Sequence, residues 1–148
     1  MGTTLSTLIL LTGALATGVL SSMAANYARQ ANSAANPPAA ASLWQSTKTF
    51  AGISMGLAVA LILLTLFIVV KGHTGTSEIT GAIESMAFGV MISFILMILA
   101  MTGVAVLNML ALIEATNNES GAFGKAVGGA VLSFGSFILS LIIIIFLL

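Results

Sequence analysis

The chain has 148 residues, of which 59% are hydrophobic and only 5% are charged, and its formal net charge is zero. A soluble domain carries about 25% charged residues, so this composition excludes a water-soluble globular protein. The zero net charge argues against nucleic acid as a partner, because binding to phosphates requires a basic surface. The sequence contains no cysteine, which excludes disulfides, thiolate metal sites and cysteine nucleophiles.

Four apolar stretches are each long enough to cross a bilayer, whose hydrocarbon core takes about 20 residues of helix. Lys48 and Lys71 bracket the clearest stretch, and no charged residue lies between them. We therefore predict an all-α, polytopic integral membrane protein with four transmembrane helices in a compact bundle, forming a single membrane domain over residues 1–148. The four spans are expected at about 5–25, 49–70, 85–110 and 126–148.

The longest predicted connection covers residues 26–48 and is expected to lie outside the membrane. The composition up to Asn36 is compatible with a helix, so the first helix is expected to run on until Pro37 and Pro38 stop it. We interpret the first span as a retained membrane helix and not as a cleaved leader, because no basic residue precedes it.

Amphipathic and basic side chains near the ends of the spans are predicted to anchor the helices at the membrane surface. These interface anchors are Tyr27, Trp44, Lys48, Lys71 and Lys125. Most of the basic residues fall on one side of the predicted bundle. The positive-inside tendency therefore favours the cytoplasm for residues 26–48 and 114–125.

Small residues recur every three or four positions along the predicted helices, and this spacing puts them on one face. Close contact between such faces holds helices together in lipid. The residues predicted to form helix contacts are Gly52, Gly56, Gly81, Ser85, Gly89, Gly128, Gly129, Ser133, Ser136 and Ser140. The sequence leaves open whether these faces meet one another or a second subunit.

Every ionisable side chain lies near the end of a predicted span. Proton pumps, ion-coupled carriers and voltage sensors place charge at mid-membrane, so the sequence argues against these functions. We expect Glu84 to be interfacial. Weak surface pairs are expected between Lys71 or Lys125 and one of Glu78, Glu84 and Glu119.

His73 and Asn108 are two further polar residues that could carry chemistry. His73 is the only histidine, and a single imidazole without other ligands is not a metal site. We therefore predict no catalytic, cofactor-binding or metal-binding residue and no enzymatic activity. Asn108 is the one strongly polar side chain within the long third span. It either forms hydrogen bonds across helices or lies where the span emerges into water.

Three segments in the first part of the chain carry a resemblance to a known group of proteins. They are residues 24–31 (AANYARQA), 41–44 (ASLW) and 48–54 (KTFAGIS). This part of the chain resembles small multi-span proteins of the inner membrane of large icosahedral double-stranded DNA viruses. The resemblance implies a virion membrane component that anchors or spaces the capsid shell, and it carries over no functional residue.

Short connections, no separate soluble domain and small-residue faces favour a structural or assembly component of a membrane-embedded complex. The expected partners are the lipid bilayer and other membrane protein subunits, in a homo- or hetero-oligomer, with no small-molecule substrate evident. One alternative is a small oligomeric channel or holin-like pore, lined by the Thr- and Ser-bearing faces of the first and fourth helices, with Gly129, Ser133, Ser136 and Ser140. A second alternative is an accessory subunit of a membrane transporter or enzyme complex.

Overall fold

Four long helices make up the part of the protein that the structure describes. The computed structural model describes residues 3–74 and 87–147, with side chains over residues 5–69 and 92–145. The helices are α1 (Thr3–Asn32), α2 (Pro37–Thr74), α3 (Ala87–Thr116) and α4 (Ala122–Leu147). Each is long and apolar enough to cross a membrane, and they pack against one another. The prediction of an all-α polytopic protein with four transmembrane helices is confirmed.

The connection between α1 and α2 is much shorter than the sequence indicated. As expected from its composition, α1 runs on to Asn32, beyond the predicted end of its span, and only residues 33–36 separate it from α2. Most of the predicted loop 26–48 is therefore helical. The position of these helical turns outside the membrane stays a prediction.

The two prolines start α2 and do not merely interrupt the chain. Asn36 accepts a hydrogen bond at its Oδ1 from the backbone N–H of Ala39 at 2.9 Å, so it is the N-cap residue. Pro37 and Pro38 then occupy the first helical positions, where a backbone N–H would have no helical acceptor. The Asn-Pro-Pro sequence thus turns the chain directly from one helix into the next.

The connection between α3 and α4 is a Schellman motif. Asn118 has a φ of 57°, in the left-handed region that asparagine tolerates. The Glu119 N–H donates to the Glu114 carbonyl at 2.8 Å, and the Asn118 N–H donates to the Ala115 carbonyl at 3.2 Å. These bonds satisfy the last carbonyls of α3 and bring α4 back alongside it.

Each helix packs mainly against two others, in the order α1–α2–α3–α4–α1, which gives a four-sided bundle. The residues that share a layer show the helix directions. The layer next to the two described connections contains Ala28, Ala31, Trp44, Ala115 and Ala122. The core farther from them includes Leu10, Ile68, Phe94 and Ile143. Neighbouring helices are therefore antiparallel.

The interior changes in character along the bundle axis. We call the part next to the two connections the alanine half, because two successive layers there are built mostly from alanine. The second of these layers contains Ala24, Ala25, Ala51, Ala111 and Ala126. Alanine lets helix backbones approach closely. The other half is filled by larger side chains, such as Phe94, Met97 and Met101.

The outer surface of the bundle carries large apolar side chains on all four helices. Leu63, Leu99, Val131 and Ile145 are between 62% and 70% exposed. Apolar surface of this extent marks contact with a membrane or with other proteins. Together with the four apolar spans, it assigns the outside of this multi-pass protein to the lipid bilayer.

Replacing Ala51 with leucine is expected to lower the free energy of unfolding by about 1–3 kcal/mol, because added methyl groups force neighbouring helices apart. Ala51 is completely buried. Ala60→Leu in the same helix is the matched control, since Ala60 is exposed. Thermal unfolding of both variants in detergent measures the difference. Equal destabilisation by the two substitutions would contradict an interior packed on alanine.

Candidate functional site in the bundle interior

The strongest polar feature of the bundle is centred on Asn108 of α3, whose side chain is completely buried. Its Nδ2 donates one hydrogen bond to the Val104 carbonyl at 2.9 Å and one to Ser21 Oγ of α1 at 3.0 Å. The sequence left two possibilities open for Asn108, a hydrogen bond across helices or emergence into water. The structure shows the hydrogen bond across helices. The residue also lies well inside its candidate span, Ile92–Thr116.

The network continues from α1 into α2. The hydroxyls of Ser21 and Ser54 lie 2.9 Å apart, and Ser54 Oγ donates to the Thr17 carbonyl at 3.2 Å. The Ser21 hydroxyl also lies 3.3 Å from Asn108 Oδ1, to which it can donate instead. Ser21 and Ser54 are both completely buried. Three helices are thus joined by side-chain hydrogen bonds.

The fourth helix contributes a glycine at the same level. A Cβ atom on Gly129 of α4 would lie 2.7 Å from Asn108 Nδ2 and 3.3 Å from Ser21 Oγ. The absence of a side chain at Gly129 therefore makes room for the amide. We call Ser21, Ser54, Asn108 and Gly129 the polar node, and it involves all four helices.

The serines of α4 that follow Gly129 face the interior of the same bundle. Ser133, Ser136 and Ser140 are all completely buried. Ser133 Oγ donates to the Gly129 carbonyl at 2.8 Å, and Ser140 Oγ donates to the Ser136 carbonyl at 2.9 Å and lies 3.7 Å from Met97 Sδ. Ser136 Oγ has no hydrogen-bond partner among the residues described.

The other predicted contact residues divide into three groups. Gly128 is close-packed, since a Cβ there would lie 3.0 Å from Leu107, and Gly52 lies opposite Leu112 at 3.4 Å. Gly56 has no atom of a neighbouring helix within 4 Å of such a Cβ, so only one member of the Gly52/Gly56 pair meets another helix. The surroundings of Gly81, Ser85 and Gly89 lie outside the described residues.

Two members of this network were not singled out from the sequence. Ser54 and the Thr17 backbone carry hydrogen bonds that connect α1 with α2. The available signal was the i, i+4 spacing of Thr17 and Ser21, which puts two polar side chains on one helical face. Ser54 lies three residues after Ala51 and four before Ala58, so the same three-and-four spacing of small residues was its signal.

The predicted interface anchors have different surroundings. Trp44 is only 6% exposed and packs in the first alanine layer, so its ring lies between helices. Tyr27 stacks on Phe50, with ring centroids 5.5 Å apart and planes 5° apart. Lys48 is half-buried, and the Lys71 side chain lies outside the described residues. The position of these residues at headgroup level stays a prediction.

Lys125 forms an ion pair that differs from the expected ones. Its Nζ lies 3.3 Å from Glu114 Oε1, because the tight connection between α3 and α4 brings these two residues together. The pairing expected with Glu119 was therefore wrong for Lys125. Glu78, Glu84 and the only histidine lie outside the residues whose side chains are described.

The chemistry of the polar node is limited to neutral hydrogen bonding. It consists of an amide and two hydroxyls, together with backbone carbonyls. Within the described ranges, no group of three or more His, Cys, Asp or Glu residues is placed to hold a metal ion. The node therefore ties helices together, and this is the role that its geometry supports.

Substituting Gly129 with alanine is expected to destabilise the protein by about 1–2 kcal/mol, because the new methyl group displaces the Asn108 amide and leaves a buried polar group unsatisfied. Gly135→Ala is the matched control on the same helix, since a Cβ there meets nothing within 4 Å. That control is expected to be neutral or slightly stabilising, because alanine favours a helix over glycine. Unfolding in mixed micelles measures both. Equal stability of the Gly129 variant and wild type would contradict the close approach to Asn108.

The hydrogen bond between Asn108 and Ser21 is expected to show a coupling free energy of about 0.6–1.7 kcal/mol, as interhelical hydrogen bonds do in membranes. A double-mutant cycle of Asn108→Ala and Ser21→Ala measures this coupling. Thr102→Ala combined with Ser21→Ala is the control, because the exposed Thr102 hydroxyl donates only to the Ile98 carbonyl of its own helix. Purely additive effects of the Asn108 and Ser21 substitutions would show that the bond adds no stability.

Comparisons with protein-family models, with curated proteins and with solved structures found no significant match to this chain. The resemblance of residues 24–54 to viral inner-membrane proteins is therefore untested and stays a prediction.

Proposed function

We propose that this protein is a rigid structural component of a membrane-embedded assembly. The observation that carries the proposal is the polar node, in which the strongest hydrogen-bonding groups inside the bundle are used to join its helices. A bundle held in this way at one level, and packed on alanine next to it, is suited to keep a fixed shape. A fixed shape is what an anchoring or spacing component needs.

The outer surface supports the same role. Large apolar side chains cover all four helices on the outside, including Leu63, Leu99 and Val131. Such a surface makes contact with lipid chains and with the apolar faces of other membrane proteins. We propose that neighbouring subunits, either copies of this chain or other proteins, bind there.

The proposal includes the kind of membrane in which the protein lies and its orientation in that membrane. The resemblance to viral inner-membrane proteins supports a location in the membrane of a virion, with a capsid shell as the structure that is anchored or spaced. The basic residues Arg29, Lys48 and Lys125 support a cytoplasmic position for the end of the bundle that carries the two described connections.

A pore lined by the α4 serines is the competing function that an experiment must separate from this one. Ser133 and Ser140 donate to carbonyls of their own helix and are buried against neighbouring helices. A water-filled path along them would require the bundle to open. A structural component leaves the membrane impermeable, whereas a pore does not.

A photoreactive amino acid at Leu99 is expected to capture a neighbouring protein in the native membrane, because Leu99 is 62% exposed. The same probe at Met101, which is 1% exposed in the same helix, is the matched control and should react only within the chain. Mass spectrometry identifies the captured partner. Purified protein in vesicles is expected to release no entrapped dye.

Each result bears on the proposal. Protein adducts at Leu99 with intact vesicles support a structural role. Dye release together with adducts to copies of this chain alone would replace that role with a pore. Adducts to the subunits of a transporter or a membrane enzyme would replace it with an accessory function.

A further inference from the structure

A groove of about 350 Å³ runs along the outside of the bundle between α1 and α4. Ala25 and Ala130 form its floor and leave it open, because their side chains are small. At one end the ring of Phe134 lies against Gly18, where a Cβ would come within 2.8 Å of that ring. The groove therefore results directly from the way these two helices pack.

The length of the groove corresponds to one leaflet of a bilayer. Along α4 its lining extends from Phe123 to Phe134, a distance of about 16 Å at the helical rise of 1.5 Å per residue. The hydrocarbon of one leaflet is about 15 Å deep. Val127 and Val131 line the groove between the two rings, so its α4 wall is apolar over the depth of one acyl chain.

A basic residue lies at the other end of the groove. Arg29 lines it together with Asn26, and Arg29 Nη2 donates to Asn26 Oδ1 at 3.1 Å. Among the residues with described side chains, one ion pair forms, between Lys125 and Glu114. No described carboxylate therefore pairs with Arg29. The remaining N–H groups of a guanidinium match the geometry of a phosphate.

We propose that this groove binds an anionic phospholipid, with an acyl chain along α4 and the lipid phosphate on the Arg29 guanidinium. Charge complementarity selects the headgroup, because a zwitterionic lipid would bring its own cation close to Arg29. The apolar walls select a lipid over a soluble phosphate. The site adds a specific lipid contact to the structural role proposed above.

The test uses the full-length protein in vesicles of equimolar phosphatidylcholine and phosphatidylglycerol. Native mass spectrometry after detergent extraction measures which lipid stays bound. The wild-type protein is expected to retain phosphatidylglycerol over phosphatidylcholine by about fivefold, the preference that one basic residue near the surface provides. Arg29→Gln removes the phosphate ligand and Val127→Phe fills the groove, so each variant should lose most of this preference.

Two matched controls separate the site from general effects. Lys48→Gln removes another cation from the same half of the bundle, away from the groove lining. Val59→Phe adds the same ring to an exposed residue of α2. Both are expected to keep the wild-type preference. An equal loss with Lys48→Gln, or no loss with Val127→Phe, would overturn the proposal, because the attraction would then not depend on the groove.

A second measurement does not depend on lipid preference. Phosphatidylglycerol with a photoreactive acyl chain is expected to label the α4 peptide that contains Val131. Labelling confined to α2 and α3, which do not line the groove, would overturn the proposal. So would efficient disulfide formation between copies of the Val131→Cys variant, because a second copy of the chain would then cover the groove.

Discussion

The constraint on which this structure depends is that a polar group inside a membrane must find its partner within the protein. Most hydroxyl groups in the bundle meet this constraint by donating to a backbone carbonyl of their own helix. Thr65 donates to the Leu61 carbonyl at 2.8 Å, and Thr102 donates to the Ile98 carbonyl at 2.7 Å. A carboxamide cannot be satisfied in this way, because it has two N–H donors and its own helix provides Asn108 with one acceptor. Asn108 therefore requires a second helix.

This requirement fixes how the helices stand relative to one another. Asn108 needs a hydroxyl on α1 and an open space on α4, which Ser21 and Gly129 supply at the same level. The neighbouring alanine layer allows the close approach, since Ala111 follows Asn108 on the same face of α3. A shift of one helix along another would leave the amide in an apolar layer, where an unsatisfied polar group is costly. One polar side chain thus selects a single register for the bundle.

The sequence predicted the class of the protein and the existence of four spans, because charge and hydropathy decide what lipid can solvate. On α2 it did not identify which small residues form the packing face. The Gly52/Gly56 pair looked like a contact motif, but α2 packs through Ala51, Ser54, Ala58 and Leu61, one position away on the helix. Hydropathy does not distinguish these two neighbouring faces of the helix, since both consist of small or apolar residues. Trp44 was predicted to anchor the protein at the membrane surface, and that position stays a prediction. What the sequence did not show is that α2 begins seven residues earlier and buries the indole between helices.

The use of polar groups inside the bundle determines what the outside can recognise. With Asn108 and the buried hydroxyls directed inward, the lipid-facing surface distinguishes its neighbours by shape along the spans and by charge only at their ends. The α1/α4 groove combines a distinct shape with a charged residue at one end. It exists because α1 has small residues on two of its faces. Ser21 and Ala24 face the interior, whereas Gly18 and Ser22 lie on the side towards α4. The small residues that permit close packing within the bundle therefore also shape a specific feature of its surface.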